Sequence, residues 1–283
     1  MAHFGYQVAG FGAGPDEVAP QEVTVDAVDF NGTTSQIRYA NSIFRDVNFK
    51  FGDSLPQEMT ISFWCKLNTI GNNTTCHVWN VDDVDNSSSP TQAITTSNSF
   101  TADGSGNISW RFFYSTNKTN PNSFFIGFQT GSGHINLGSW QHFIICVQYD
   151  SSGKTVLSRI DGADVLSGIT VTNQDMNSSG FDTADTFIGV DKSYGLLGAP
   201  NEFGDTFSDM CLTQFFIQDK FYDINQTTNL RKFYSVNGKP VQTPANPLVL
   251  LQGSASTWTN SGSSSLGTQT LSNITDCADS PSD

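Results

Sequence analysis

Apolar and polar residues alternate with a period of two through most of this chain, and three stretches carry the pattern most clearly. From Glu58 to Leu67, Met59, Ile61, Phe63, Cys65 and Leu67 share one face, while Thr60, Ser62, Trp64 and Lys66 share the other. That is the signature of a strand with one buried side. In 137–165, Phe143, Ile145, Val147 and Tyr149 oppose His142, Ile144, Cys146 and Gln148. Asp150-Ser151-Ser152-Gly153 and then Asp161-Gly162 supply two tight turns, which place antiparallel strands side by side. The third stretch, Phe207 to Ile217, is apolar on both sides: Phe207, Asp209, Cys211, Thr213 and Phe215 against Met210, Leu212, Gln214 and Phe216. Such a strand needs cover on both faces.

Further strands are expected at Val25–Phe30 and Ser35–Tyr39, joined by Asn31-Gly32, and at Thr75–Val81, Ile108–Tyr114, Ser123–Gln129 and Thr186–Val190. Asp82 to Phe100 has little apolar content and reads as a surface loop. Helical spacing occurs once, at Leu230, Phe233 and Tyr234. Asp223 or Asn225 can cap that segment, and Asn237-Gly238 with Pro240 ends it.

A length of 283 residues can bury one sizeable core. Only 14% of residues are charged and 12% are aromatic, a balance that favours a β protein with polar loops over a helical bundle. The net charge of −14 argues against nucleic acid as a partner, because no basic stripe is present. No run of about twenty apolar residues is available to span a membrane, and the first residues make a poor secretion signal. The five cysteines, Cys65, Cys76, Cys146, Cys211 and Cys277, are odd in number and show no close paired spacing. They predict a chain folded in a reducing cytoplasm, with no zinc site and no obligatory disulfide.

Gly-x-Trp-x-His-Phe at residues 138–143, followed by an apolar strand and Asp161-Gly162, resembles the centre of the laminin-G-like and concanavalin-A-like jelly rolls. Val28 to Tyr39 resembles their first hairpin, the Thr-Ile-Ser-Phe-Trp strand at 60–64 their second signature, and Phe207–Ile217 their final core strand. Leu230 to Val241, Pro247 to Leu251 and Trp258 to Gly262 resemble the C-terminal part of laminin-G-like proteins encoded by tailed bacteriophages. The resemblance spans Val23 to Gly267. It implies an all-β jelly-roll β-sandwich with one short C-terminal helix, and a virion structural protein on the capsid or tail, made in the host cytoplasm. Its implied partners are other virion proteins and further copies of itself. The alternative is a receptor protein that binds a host surface glycan.

Concanavalin-A-like folds include glycoside hydrolases, whose chemistry needs two carboxylates a few ångströms apart. The four glutamates, Glu17, Glu22, Glu58 and Glu202, are isolated, and Asp26 and Asp29 fall on opposite strand faces. His3, His77, His134 and His142 show neither Ser/His/Asp order nor zinc spacing. The sequence therefore offers no catalytic residue and no cofactor site. Calcium is the one metal with candidates: Asp82, Asp83 and Asp85 bring oxygen ligands at short spacing but lack the full loop motif. For a glycan, Trp79, Trp110 and Trp258 are the candidate stacking platforms, with packing in the core as the competing role. Trp140 and His142 read as packing residues.

The segment before the sandwich differs from the rest. Phe4, Tyr6, Val8 and Phe11 are spaced by Gly and Ala, and Pro15 and Pro20 bracket an acidic patch. Aromatic side chains on a glycine-rich segment suit docking against another surface, with a free tail as the alternative. The expected organisation is thus a docking arm at 1–22, a jelly-roll domain at 23–271 and a polar tail at 272–283.

Overall fold

The computed structural model describes residues 20–41, 43, 57–72, 74–82, 95–114, 126–165, 185–188, 190–191 and 206–283. Among them are β1 (Val28–Asn31), β2 (Gln36–Tyr39), β3 (Gln57–Thr69), β4 (Thr75–Asp82), β5 (Thr95–Ala102), β6 (Ile108–Tyr114) and β7 (Ile126–Gln129). They continue with β8 (Gln141–Asp150), β9 (Gly153–Ile160), β10 (Ala163–Asp164), β11 (Asp185–Ile188), β12 (Val190–Asp191), β13 (Thr206–Phe207) and β14 (Asp209–Gln218). A single helical turn, α1 (Thr227–Leu230), precedes β15 (Val249–Gln252), β16 (Thr259–Asn260), β17 (Gln269–Ser272) and β18 (Thr275–Asp276).

The strands form two large antiparallel sheets. The back sheet runs β10-β9-β8-β3-β14-β1-β18, with β15 also on β14 and β16 on β15. The front sheet runs β17-β2-β11-β4-β5-β6-β7. Consecutive elements cross between sheets, as at β1 to β2 and β3 to β4, which makes the fold a jelly-roll β-sandwich.

The period-two reading of the central strands holds. Met59, Ile61, Phe63, Cys65 and Leu67 of β3 and Phe143, Ile145 and Val147 of β8 all enter the core between the sheets. There Phe63 stacks on Phe143 at 5.1 Å between centroids and meets Trp110 edge-on at 6.1 Å.

The opposite faces of β3 and β8 are also dry. Residues 219–242 lie across them as a clasp, and Ile144, Cys146 and Phe216 form a second core with Tyr222, Ile224, Leu230 and Phe233. The expected C-terminal helix shrinks to one turn within this clasp. Its side chains at helical spacing still pack inward, and tertiary burial rather than helix length holds them.

Four expectations need correction. The polar stretch before Phe100 contains β5, which pairs with both β4 and β6. Its Asn98 is fully buried, and its Oδ1 accepts a 2.7 Å hydrogen bond from Trp110 Nε1, which offsets part of the cost of a polar side chain in the core. In β14 the face assignment changes midway. The register against β3 shifts between Thr213 and Phe216, and Gln214 adopts a left-handed φ of 46°. This bulge puts Met210, Leu212, Phe215 and Ile217 together in the core.

Residues 272–283, expected as a polar tail, belong to the sandwich. β18 pairs with β1, the buried Pro281 packs inward, and Ser282 Oγ bonds Val23 and Val25. Finally, Cys211 and Cys277 form a disulfide. Sequence spacing hid it because the partners are 66 residues apart. β1 pairs on one side with β14 and on the other with β18, and the Cys277 N–H donates to Ala27 O at 2.9 Å, which carries Cys277 to Cys211. Cys65, Cys76 and Cys146 are free and buried. Cys65 and Cys146 are the small hydrophobes their apolar strand patterns predict, whereas Cys211, which shares that pattern, is the one in the disulfide.

Candidate functional site

Strand registers place one end of the front sheet where long connections gather. The ends of β2, β4 and β6 and the starts of β5, β7 and β11 are level there, through Tyr39↔Thr186, Asp82↔Asp185, Asp82↔Thr95 and Tyr114↔Ile126. Residues 44–56, 83–94 and 115–125, outside the described residues, join strand ends at this pole, and 166–184 leads into it at the start of β11. The opposite pole carries turns such as 31–34, 103–107 and 161–162 and the strand ends that residues 192–205, also outside the described residues, connect.

The outer face of the front sheet is polar. Phe100 and Trp110 are core partners across β5 and β6, so the next pairs along turn outward: His77↔Ser99↔Arg111 on one side and Thr75↔Thr101↔Ser109 on the other. Thr75 Oγ1 and Thr101 Oγ1 lie 3.3 Å apart. Burial holds the Arg111 guanidinium below its usual range.

Behind the back sheet, the clasp forms a second surface feature. The chain enters the described fold at Pro20 and runs antiparallel to residues 240–242. Val23 N–H donates to Pro240 O at 3.1 Å, and Gln242 N–H to Gln21 O at 3.0 Å. Between this pair and the helical turn lies a groove of about 550 Å³, with Pro20, Thr228, Arg231, Lys232, Val236 and Pro244 among its walls. Val236 is 76% exposed, a bare aliphatic side chain at the groove. Arg231 Nη1 donates to the carbonyls of Tyr234 and Ser235, and Lys232 Nζ to Asn229 Oδ1. Asn237 Nδ2 donates to Glu22 Oε1 at 2.9 Å, and bonds from Ser235 and Asn237 hold that carboxyl below its usual range. Sequence reading missed this groove. Its one signal is charge: four of the thirteen Lys and Arg residues fall within 220–239, against one acid, Asp223.

Beneath the clasp, Ser62 Oγ lies 2.8 Å from His142 Nε2, and the His142 ring stacks on Tyr234 and meets Trp64 at a tilt, the three rings forming one cluster. This pair does not make a nucleophile. His142 is fully buried, and Asp161 spends its carboxylate on the His142 backbone N–H (2.8 Å) and on Gln141 Nε2 (3.0 Å). Among the described residues no carboxylate accepts from the His142 ring, whose Nδ1 is buried.

The sequence candidates fare differently. Trp79 and Trp110 are fully buried and Trp258 is 4% exposed, so all three are core residues. Trp258 Nε1 donates to the Tyr39 hydroxyl at 3.1 Å. They offer no face to a sugar, because the strand positions that carry them point between the sheets. Asp82 ends β4 in backbone pairing with β5 and β11, while Asp83 and Asp85 lie outside the described residues. So do Phe4, Tyr6, Val8 and Phe11. Of the glutamates, Glu58 accepts from Gln148 Nε2 and the Phe221 N–H, and Glu22 is held at the groove. Glu17 and Glu202 lie outside the described residues.

Among the described residues, one group of side chains has metal-ligand character: Asp29, Cys211 and Cys277. Its sulfurs are bonded to each other, and burial together with the Asp209 carboxylate raises the Asp29 pKa. No helix among the described residues is long and apolar enough to cross a membrane.

The two antiparallel sheets and their crossings define a jelly-roll β-sandwich. No protein-family model matches the sequence, and no curated relative does. Among solved structures, the chain is similar to a native heptameric SAP-like pentraxin from Limulus polyphemus: 11% identity, 87% of this chain, 94% of that one, TM-score 0.44. It is also similar to Trypanosoma rangeli sialidase: 14% identity, 75% of this chain, TM-score 0.40. The match spans 28% of that enzyme's length. A third is mouse laminin alpha1 chain, domains LG4-5: 10% identity, 83% of this chain, 49% of that one, TM-score 0.36. Carbohydrate-binding modules are also among the similar structures, including the Ruminococcus gnavus IT-sialidase CBM40. At these identities no activity, ligand or partner passes to this chain.

Proposed function

We propose that this protein is a non-enzymatic display module: a structural component of a tailed-phage virion, attached through residues 1–22 and presenting its front sheet outward. The observation that carries this reading is where the chain enters the fold. Pro20 to Val23 lies on the clasp behind the back sheet, bound to residues 240–242 and to Ser282. The front sheet and the pole of long connections lie a full sandwich layer away, roughly 10 Å beyond the back sheet. An attachment made behind leaves them free. The phage resemblance of residues 230–262 supplies the virion setting. Proteomics and antibody-label imaging of purified particles test the reading: the protein is expected on the particle surface, and its absence from particles overturns it.

A second reading, binding of a host surface glycan, is favoured by the half-buried Thr101 and Arg111 on the outer face of the front sheet, flanked by the buried His77 and Ser99. Hydroxyl and guanidinium groups are among the partners that sugar hydroxyls need. Binding to a glycan array that Thr101→Ala and Arg111→Ala weaken supports it. Turnover of a polysaccharide by the purified protein overturns the non-enzymatic reading itself.

A further inference from the structure

We infer that the groove behind the back sheet is the acceptor for the N-terminal arm of a second copy of this chain, taken up through Asp16, Glu17 and Val18. This inference rests on the reading of residues 1–22 as the attachment segment and names what they attach to.

Three observations support it. The first is chemical character. The groove combines the bare Val236 side chain and two prolines with two cations, Arg231 and Lys232, against one carboxylate, Glu22, which Asn237 already engages, so its best occupant is a short segment that is both apolar and acidic. Residues 15–18, Pro-Asp-Glu-Val, have that composition, and residues 1–19 contain no Lys or Arg. The second is contrast. On a chain of net charge −14, the clasp is locally basic. Most of a second copy's surface would be repelled, which confines attraction to this match.

The third is position. Pro20 itself lines the groove, so each arm departs from the wall of its own acceptor. Two copies set groove to groove about a twofold axis would exchange arms, each giving and receiving the same contact. Such an arrangement closes as a dimer instead of propagating. Glu17 stands three residues before Pro20, a reach of roughly 10 Å when extended, short enough to cross between facing grooves.

A charge-swap experiment on the full chain tests the inference. One variant, Asp16→Lys with Glu17→Lys, reverses the arm. The other, Lys232→Glu with Val236→Glu, reverses the groove and spares Arg231, whose guanidinium ties down the Tyr234 and Ser235 carbonyls. Sedimentation velocity over a concentration series is expected to show a wild-type dimer and two monomeric variants. Mixing the variants is expected to restore the dimer as a heterodimer, because both arm-to-groove contacts become complementary again. Should the groove variant melt below wild type, Lys232→Glu alone serves in its place.

A wild-type monomer overturns the inference. So does a mixture that stays monomeric, the result expected if each arm lies in its own groove. So does a dimer that both variants retain. A monomeric protein still found on particles leaves the display function standing and removes only this acceptor.

Discussion

Cys211 and Cys277 are joined across β1, which pairs with the strands of both, so one covalent bond closes the back sheet at its edge. Asp29 Oδ1, on that intervening strand, lies 3.5 Å from Cys211 Sγ. The bond anchors the last residues of the chain, whose Ser282 in turn holds Val23 and Val25. Residues 23–25, the C-terminal residues and the clasp are thereby fastened at one place.

The disulfide closes a loop of 66 residues, a constraint worth about 4 kcal/mol through the unfolded state. Cys277→Ser is expected to lower stability by roughly that amount, and a dithiol is expected to reduce the wild-type melting temperature toward that of the variant. Equal denaturant midpoints with and without reductant would contradict the cross-link.

Phe63 is fully buried and touches Phe143, Trp110 and Phe215. Phe63→Ala leaves a cavity that sheet partners on both sides prevent from collapsing. The expected loss is about 3–5 kcal/mol, read from urea denaturation. A change near zero would show that this face is not the core.

Burial pushes the His142 imidazole down to about 3, whereas an unfolded histidine titrates near pH 6.5. Between those values the unfolded chain holds the extra proton. Stability therefore falls as pH drops from about 6.5 toward 3. Burial raises the pKa of Asp161 and Asp29, and that acts in the opposite sense, favouring the fold as those carboxyls protonate. His142→Asn removes the histidine contribution and leaves the carboxylates in place. Its melting temperature is expected to depend less steeply on pH across this window, and parallel slopes would refute the buried neutral ring.

Gly262 packs so closely on the Leu248–Val249 backbone that an added Cβ would stand 2.2 Å from Leu248 O. Gly262→Ala forces β15 and β16 apart at a place where no side chain can yield. A destabilisation of about 1–3 kcal/mol or more is expected, with the Ser261–Leu250 and Ser264–Leu248 amides losing hydrogen-exchange protection. Protection equal to wild type would show that the 259–264 turn is free to move.

The sequence alone determined the class of fold and the two faces of its central strands. Period-two alternation in β3 and β8 states which side chains share a face, because successive residues of a strand point to opposite sides. Gly153 and Asp161-Gly162 fixed hairpins, because glycine tolerates the positive φ those turns require. Asn31-Gly32, expected to close a hairpin, instead turns the chain from β1 in the back sheet to β2 in the front sheet. What alternation does not state is what covers each face. Only tertiary structure decided that Thr60, Ser62 and Trp64 lie under a clasp drawn from residues 219–242, and that the three candidate tryptophans point between the sheets. The same holds for β5, whose polar residues pass as loop until Trp110 supplies Asn98 with a partner. The extra residue at Gln214 changes which side of β14 is the core, and no pattern in the local sequence marks it. Cys211 and Cys277 became neighbours because β1 pairs with two strands distant in sequence. The groove arose where Pro20 and Val236 met across more than two hundred residues. Local patterns record the choices each residue makes with its neighbours, and these features rest on contacts between segments far apart in the chain.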